Sequence, residues 1–135
     1  MTAAQLFSLA NTLALVTWIG LIAFQRTRIV RDRIVPAVVA VFAIAYAVLI
    51  ARYWSGSSGG FGSLAAVSLL FANDRLLLAG WLHYLAFDLL VGRWEAGDAA
   101  ERGLSPWLAA PCLALTFMFG PAGWLAYLVV RRVRA

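Results

Sequence analysis

The chain has 135 residues, of which 64% are hydrophobic and only 13% carry a charge, and its mean hydropathy is +0.86. These values exclude an ordinary soluble domain and indicate a single integral membrane domain with room for about four crossings of roughly 20 residues each. The formal charge is +5 and every basic residue is an arginine; these arginines cluster beside apolar spans, which favours contact with lipid headgroups over nucleic acid.

The first apolar span is predicted over residues 4–24. Arginines follow it, which favours an outside N-terminus and a cytoplasmic first loop. Asn11 lies within this span, and an amide in hydrocarbon needs a hydrogen bond from a neighbouring helix. Asn11 is therefore either a contact between helices or part of a binding surface.

The second span is predicted over residues 35–54 and begins beside Pro36, which suits the first turn of a helix. The glycine- and serine-rich sequence at 55–62 cannot continue a helix and predicts an exposed turn. Residues 63–73 then predict a helix with Ser63 as its N-cap. This helix is too short to cross a bilayer, so we expect it to be interfacial or re-entrant.

The third span, predicted over residues 75–94, contains the only histidine of the chain, His83, and a deeply placed carboxylate, Asp88. An ionised Asp near a bilayer centre costs about 2.5–3.5 kcal/mol on insertion scales, so Asp88 needs a partner, water or a functional role. At 100° per residue, Tyr84, Asp88 and Glu95 share a narrow sector of the helix, whereas His83 lies about 140° from Asp88. His83 can join the others only if one pocket spans that whole face.

The fourth span is predicted over residues 107–130, with a kink or local unwinding at Gly120-Pro121. Cys112, Thr116 and Gly120 recur every four residues and form a stripe of small side chains that permits close helix packing. The sequence thus predicts an all-α integral membrane bundle of four transmembrane helices plus one short interfacial or re-entrant helix. All of it belongs to a single membrane domain over residues 1–135.

Four spans would place both termini on the same side of the membrane. The arginines then divide almost evenly, with six on the side of the first loop and five on the other. Because membrane orientation follows an excess of basic residues on the cytoplasmic side, this balance leaves the orientation open.

Three segments carry a resemblance to a known family. The sequence LAGWLHYLAFDLLVGRWE at 78–95, followed by PCLALTFMFGP at 111–121, resembles the abscisic-acid-deficient-4-like family, and the segment at 55–62 is also similar to it. The resemblance covers roughly residues 5–130. Plant members are small multi-span membrane proteins required to form neoxanthin from violaxanthin, and related proteins occur in bacteria. The resemblance therefore implies a carotenoid or another long apolar ligand, and a location in a bacterial inner (cytoplasmic) membrane.

Conversion of an epoxide into an allenic alcohol is a net isomerisation, in which one proton leaves a polyene carbon and another reaches the epoxide oxygen. It requires no cofactor in principle. As a hypothesis, Asp88 or His83 serves as the base, and the other residue or Tyr84 donates a proton to oxygen. The expected substrate-binding residues are Asn11, Trp81, Phe87, Glu95 and Thr116.

A non-catalytic role is the alternative. The aromatic side chains could equally face lipid or pack, and Asp88 could pair with Arg93, Arg75 or Asn11 to hold the bundle together. The protein would then bind a carotenoid or lipid, or support a larger membrane complex, and an oligomer is possible. One histidine with scattered carboxylates falls short of the usual ligand sets, so no metal site is expected.

Overall fold

The structure is a computed structural model that describes residues 1–134, and every regular element within that range is helical. A π-helical turn, Val30–Ile34, leads into the second of six α-helices. Three helices, α1, α2 together with its π-helical turn, and α4, are long and apolar enough to cross a membrane. The helices are α1 (Ala3–Ala23), α2 (Val35–Tyr53), α3 (Leu64–Phe71), α4 (Asp74–Glu101), α5 (Pro106–Phe119) and α6 (Pro121–Arg134).

Local chemistry sets where several helices begin. The Ser63 hydroxyl accepts a hydrogen bond from the backbone N–H of Ala66, which confirms Ser63 as the N-cap of α3. The Asn73 side chain caps α4 in the same way, and Pro36 occupies the first turn of α2. These caps satisfy backbone donors that have no partner inside the helix.

The long helix α4 is the centre of the fold and contacts each of the other five helices. Its 28 residues extend beyond the predicted span 75–94 at the C-terminal end and measure about 42 Å at 1.5 Å per residue. One face of α4 packs against α1 and α2 in the main apolar core. That core includes Trp18, Leu21, Phe42, Leu49, Leu82, Leu85 and Leu89.

The structure does not confirm the fourth span predicted over residues 107–130. Helix α5 ends at Phe119, the chain reverses at Gly120, and α6 packs back along α5. Gly120 has φ +43°, in the left-handed region that glycine favours. Gly123 lies so close to the backbone of Thr116 that no side chain fits between the two helices. The chain therefore does change direction at the predicted position, but it reverses there instead of kinking within one helix.

Helices α5 and α6 form a C-terminal hairpin (residues 106–134) that covers only one half of α4. Its tip lies against Asp88, near the middle of α4. Halfway along α6, the hydroxyl of Tyr127 donates to Asp98 at 2.6 Å and holds this arm against the C-terminal part of α4. Each arm has 14 residues, about 21 Å, which is short of a hydrocarbon core of about 30 Å. The hairpin therefore starts and finishes at the same end of the bundle.

This hairpin places nearly all arginines at one end. Arg26 donates to the carbonyl of Leu104 at 3.0 Å, which joins the first loop to the start of the hairpin. Only Arg52 and Arg75 lie at the opposite end. The near balance of a four-span arrangement thus becomes nine arginines against two. The nine are Arg26, Arg28, Arg31, Arg33, Arg93, Arg102, Arg131, Arg132 and Arg134.

We expect the arginine-rich end to face the cytoplasm, because basic residues accumulate on that side of membrane proteins. Single cysteines introduced as Ser58→Cys and Arg132→Cys, each in a Cys112→Ala background, test this orientation. On intact cells, a membrane-impermeant maleimide should label the first variant and not the second. Labelling of Arg132→Cys in intact cells would contradict the orientation.

Candidate active site

Asp88 carries a buried carboxyl group near the middle of α4. The residue is 9% exposed, and among the residues that the structure describes no hydrogen-bond donor reaches its Oδ2. Gly120 at the hairpin tip faces it, so closely that a Cβ there would lie 2.8 Å from Oδ1. A buried polar group without a partner is costly, and an ionisable one at membrane depth is a candidate functional group.

The partners considered for a purely structural Asp88 are engaged elsewhere. Arg93 donates to the Arg31 carbonyl at 2.9 Å, and Arg75 donates to the Met1 carbonyl at 3.1 Å. Asn11 accepts a hydrogen bond from the indole of Trp81 at 2.7 Å. Asp88 therefore does not hold the bundle together through any of these three residues.

Tyr84 supplies a second acid–base group beside this carboxyl. It lies one helical turn before Asp88 on the same face, and its hydroxyl is close to the Asp88 side chain. The same hydroxyl donates a long hydrogen bond, 3.5 Å, to the carbonyl of Met118 in the last turn of α5. A phenol and a carboxyl group thus stand together above the hairpin tip, where they can exchange a proton.

The outer half of this face of α4 is open, because the hairpin reaches only as far as Asp88. Here the ring centroids of Phe7 and Trp81 lie 5.5 Å apart, and Trp81 stacks on Tyr84 with ring centroids 5.1 Å apart. We call these three residues the aromatic track. A cavity of about 360 Å³ opens between α1 and α4 at its outer end. Phe7 and Trp81 line this cavity together with Asp74, and the track leads from it towards Asp88.

His83 and Phe87 lie on a different face of α4. Both are exposed, and their rings stack with centroids 4.5 Å apart. The ring of Tyr46 in α2 packs beside that of His83, and the two ring centroids lie 5.7 Å apart. His83 is exposed whereas Asp88 is buried, in line with their separation of about 140° around the helix.

Glu95 and Thr116 form a sealed contact between α4 and the hairpin. Both are completely buried, and the Thr116 hydroxyl lies 2.9 and 3.0 Å from the two carboxyl oxygens of Glu95. The stripe of small residues on α5 makes this approach possible. Neither side chain reaches the aromatic track, so the structure places them in packing between helices.

Two parts of the site were missed by the sequence analysis. Phe7 belongs to the track only because α1 packs beside Trp81, a contact between distant residues that periodicity does not reveal. The approach of Gly120 to Asp88 depends on the hairpin, for which the second arginine cluster was the available signal. Among the described residues, no group of three or more His, Cys, Asp or Glu side chains could hold a metal ion.

Comparison with known proteins gives one match. A family model described as ABA DEFICIENT 4-like matches residues 5–127. The matched segment contains the aromatic track, Asp88 and the tip of the hairpin. No curated protein and no solved structure matches the chain.

Proposed function

The chain belongs to the ABA DEFICIENT 4-like family, and from this premise we propose that it is an intramembrane isomerase of carotenoid or xanthophyll epoxides. The observation that carries the proposal is the buried carboxyl of Asp88, which lies beside the Tyr84 hydroxyl at the inner end of an open aromatic track and whose Oδ2 has no hydrogen-bond partner among the described residues. We further propose a bacterial inner membrane as its location. The three long apolar helices and the collection of arginines at one end support that location.

The substrate would reach this site sideways, from within the bilayer. A polyene is long, flat and apolar, so it gains by burial against the stacked rings of Phe7, Trp81 and Tyr84. The Asn11 amide accepts the Trp81 N–H and so fixes one ring of the track. The oxygenated end group of the substrate would then lie beside Asp88.

The chemistry assigned to the pair balances without a redox cofactor. The Asp88 carboxylate takes a proton from the polyene carbon next to the epoxide, and the C–H electron pair forms the new double bond of the allene. The epoxide C–O bond breaks, and its oxygen takes the proton of the Tyr84 hydroxyl. Asp88 then returns its proton to the Tyr84 phenolate, so the enzyme is regenerated and the product is an isomer of the substrate.

A second candidate function is a ligand carrier that performs no chemistry. An apolar groove of about 370 Å³ lies between α1, α2 and α4, away from Asp88, and would hold a lipid or pigment chain without offering an acid or a base. This observation favours binding alone. The groove is lined in part by Leu6, Leu13, Phe42, Val48, Leu78 and Leu82.

Turnover by the purified protein distinguishes the two functions. We expect the full-length protein in lipid nanodiscs to convert violaxanthin into an allenic isomer of unchanged mass, with no added reductant or oxidant. Chromatography with absorbance and mass detection measures the product, and empty nanodiscs are the control. Pigment that binds and remains unchanged on the folded protein would overturn the isomerase and support the carrier.

A further inference from the structure

A polar cleft of about 390 Å³ opens at the arginine-rich end of the bundle, on a different side of α4 from Asp88. The loop after α1 and the following π-helical turn form one wall, and the C-terminal part of α4 forms the other. Three arginines line it, Arg28, Arg31 and Arg93. The proposed isomerase chemistry uses none of these residues.

The cleft holds more hydrogen-bond donors than its own acceptors satisfy. The side chain of Arg31 is only 13% exposed, and its guanidinium makes one hydrogen bond to the described residues, from Nε to Asp32 at 3.4 Å. Arg93 shares the same carboxylate at 3.3 Å. One acid therefore serves two arginines, and Arg28 adds a third positive charge at the rim.

The remaining acids of the cleft do not remove this excess. Asp98 is already bound by Tyr127, Arg102 and Arg131, at 2.6, 2.9 and 3.1 Å. Glu101 lies exposed at the rim, and among the described residues no ion pair joins it to an arginine of the cleft. Donors in the cleft are thus available to an anion from outside the chain.

We propose that the cleft binds the phosphodiester headgroup of an anionic phospholipid. The planar guanidinium fork matches phosphate oxygens, and basic pockets between transmembrane helices on the cytoplasmic side bind such headgroups. The cleft lies at the end of the bundle that we expect to face the cytoplasm.

An exposed apolar stripe next to the cleft favours a lipid over a free phosphate. Phe87, Leu90 and Trp94 are exposed on one face of α4, and the stripe runs from the middle of the helix to the cleft. A headgroup bound among the arginines would therefore place its acyl chains along this stripe. Trp94, at the junction, is the type of residue found at the boundary between headgroups and acyl chains.

Native mass spectrometry of the full-length protein in neutral detergent tests the site. With equal amounts of phosphatidylglycerol and phosphatidylcholine of the same acyl chains, we expect a bound phosphatidylglycerol to dominate. Arg31→Gln and Arg28→Gln should each lower that occupancy about fivefold, the effect of one arginine near an anionic headgroup. Because Arg28 is exposed, its replacement leaves the packing intact.

The matched control is Arg52→Gln, which removes the same charge at the opposite end. An equal loss in this control, or equal binding of the two lipids by the unmodified protein, would overturn the site. Glycerol 3-phosphate at millimolar concentration supplies the phosphate ester without the chains and should not displace the lipid. Displacement by it would identify a free phosphate ester as the ligand and overturn the lipid assignment.

Discussion

Asp88→Asn is expected to lower conversion of an epoxy-carotenoid at least about 100-fold, because general acid–base groups contribute about 10²–10⁴ to rate. The amide has the size of the carboxyl but cannot take the proton from the polyene. Since no donor among the described residues reaches Oδ2 of Asp88, the change breaks no hydrogen bond at that atom. Expression and melting temperature should therefore stay close to those of the unmodified protein, and chromatography of pigments in nanodiscs measures the loss.

Two further variants separate chemistry from packing. Tyr84→Phe removes the proposed acid and keeps the ring of the aromatic track, so it should lose activity to a similar extent. His83→Ala is the matched control on the same helix, because His83 is exposed on another face and should leave turnover unchanged. If Asp88 acts as the base with Tyr84 as the acid, the double variant should lose little more than either single variant.

The opposite pattern would remove these roles. Full turnover in Asp88→Asn would exclude Asp88 as the base. A loss in His83→Ala as large as that in Asp88→Asn would point to chemistry on the exposed face of α4. A structural role for Asp88 would lower the amount of folded protein rather than the rate per folded molecule.

The site exists because one face of α4 is covered along half its length. Where the hairpin is present, Glu95 is sealed against Thr116 and cannot meet a ligand. Where the hairpin stops, the same sector of α4 presents Tyr84 and Asp88 to the open track. Tyr84, Asp88 and Glu95 share a sector on the helical wheel, but they lie in different environments because the C-terminal hairpin covers only part of that sector.

Helical periodicity accounts for the part of the site that the sequence predicted. It placed Tyr84, Asp88 and Glu95 on one face and His83 on another, since both statements follow from 100° per residue within one helix. It could not tell which end of that face would be covered. That depends on Tyr127 reaching Asp98 from another helix, and no local pattern encodes such a contact.

The fourth span predicted over residues 107–130 is not confirmed because hydropathy carries no information on where the chain reverses. Hydropathy averages over the 24 residues of this segment and predicts a crossing whether or not the chain turns in the middle. The Gly120-Pro121 sequence indicated that the helix breaks there, but it did not indicate the angle between the two helices that follow from the break. The arginine clusters carried the missing information. A single crossing over residues 107–130 would place the cluster that ends in Arg134 on the opposite side of the membrane from the cluster in the first loop, whereas a hairpin places both clusters on the same side.

Gly123→Ala is expected to have the largest effect on stability, because it prevents the two arms of the hairpin from closing. A Cβ at this position would overlap the backbone nitrogen of Thr116, which cannot turn away as a flexible side chain could. Overpacking of a core typically costs about 1–3 kcal/mol, and a clash with backbone lies at or above the upper end of that range. Gly20→Ala is the control, because nothing lies within 4 Å of a Cβ at that helical position.

Thermal unfolding in detergent, followed by circular dichroism, should show a clearly lowered melting temperature for Gly123→Ala. Gly20→Ala should be neutral or slightly stabilising, since alanine suits a helix better than glycine. Spin labels at Ser105 and Arg132 report the separation of the hairpin ends, which should increase in Gly123→Ala. An opened hairpin also withdraws its tip from Asp88, so turnover should fall along with stability. Equal melting temperatures and equal label distances in the two variants would show that α5 and α6 do not pack as a hairpin.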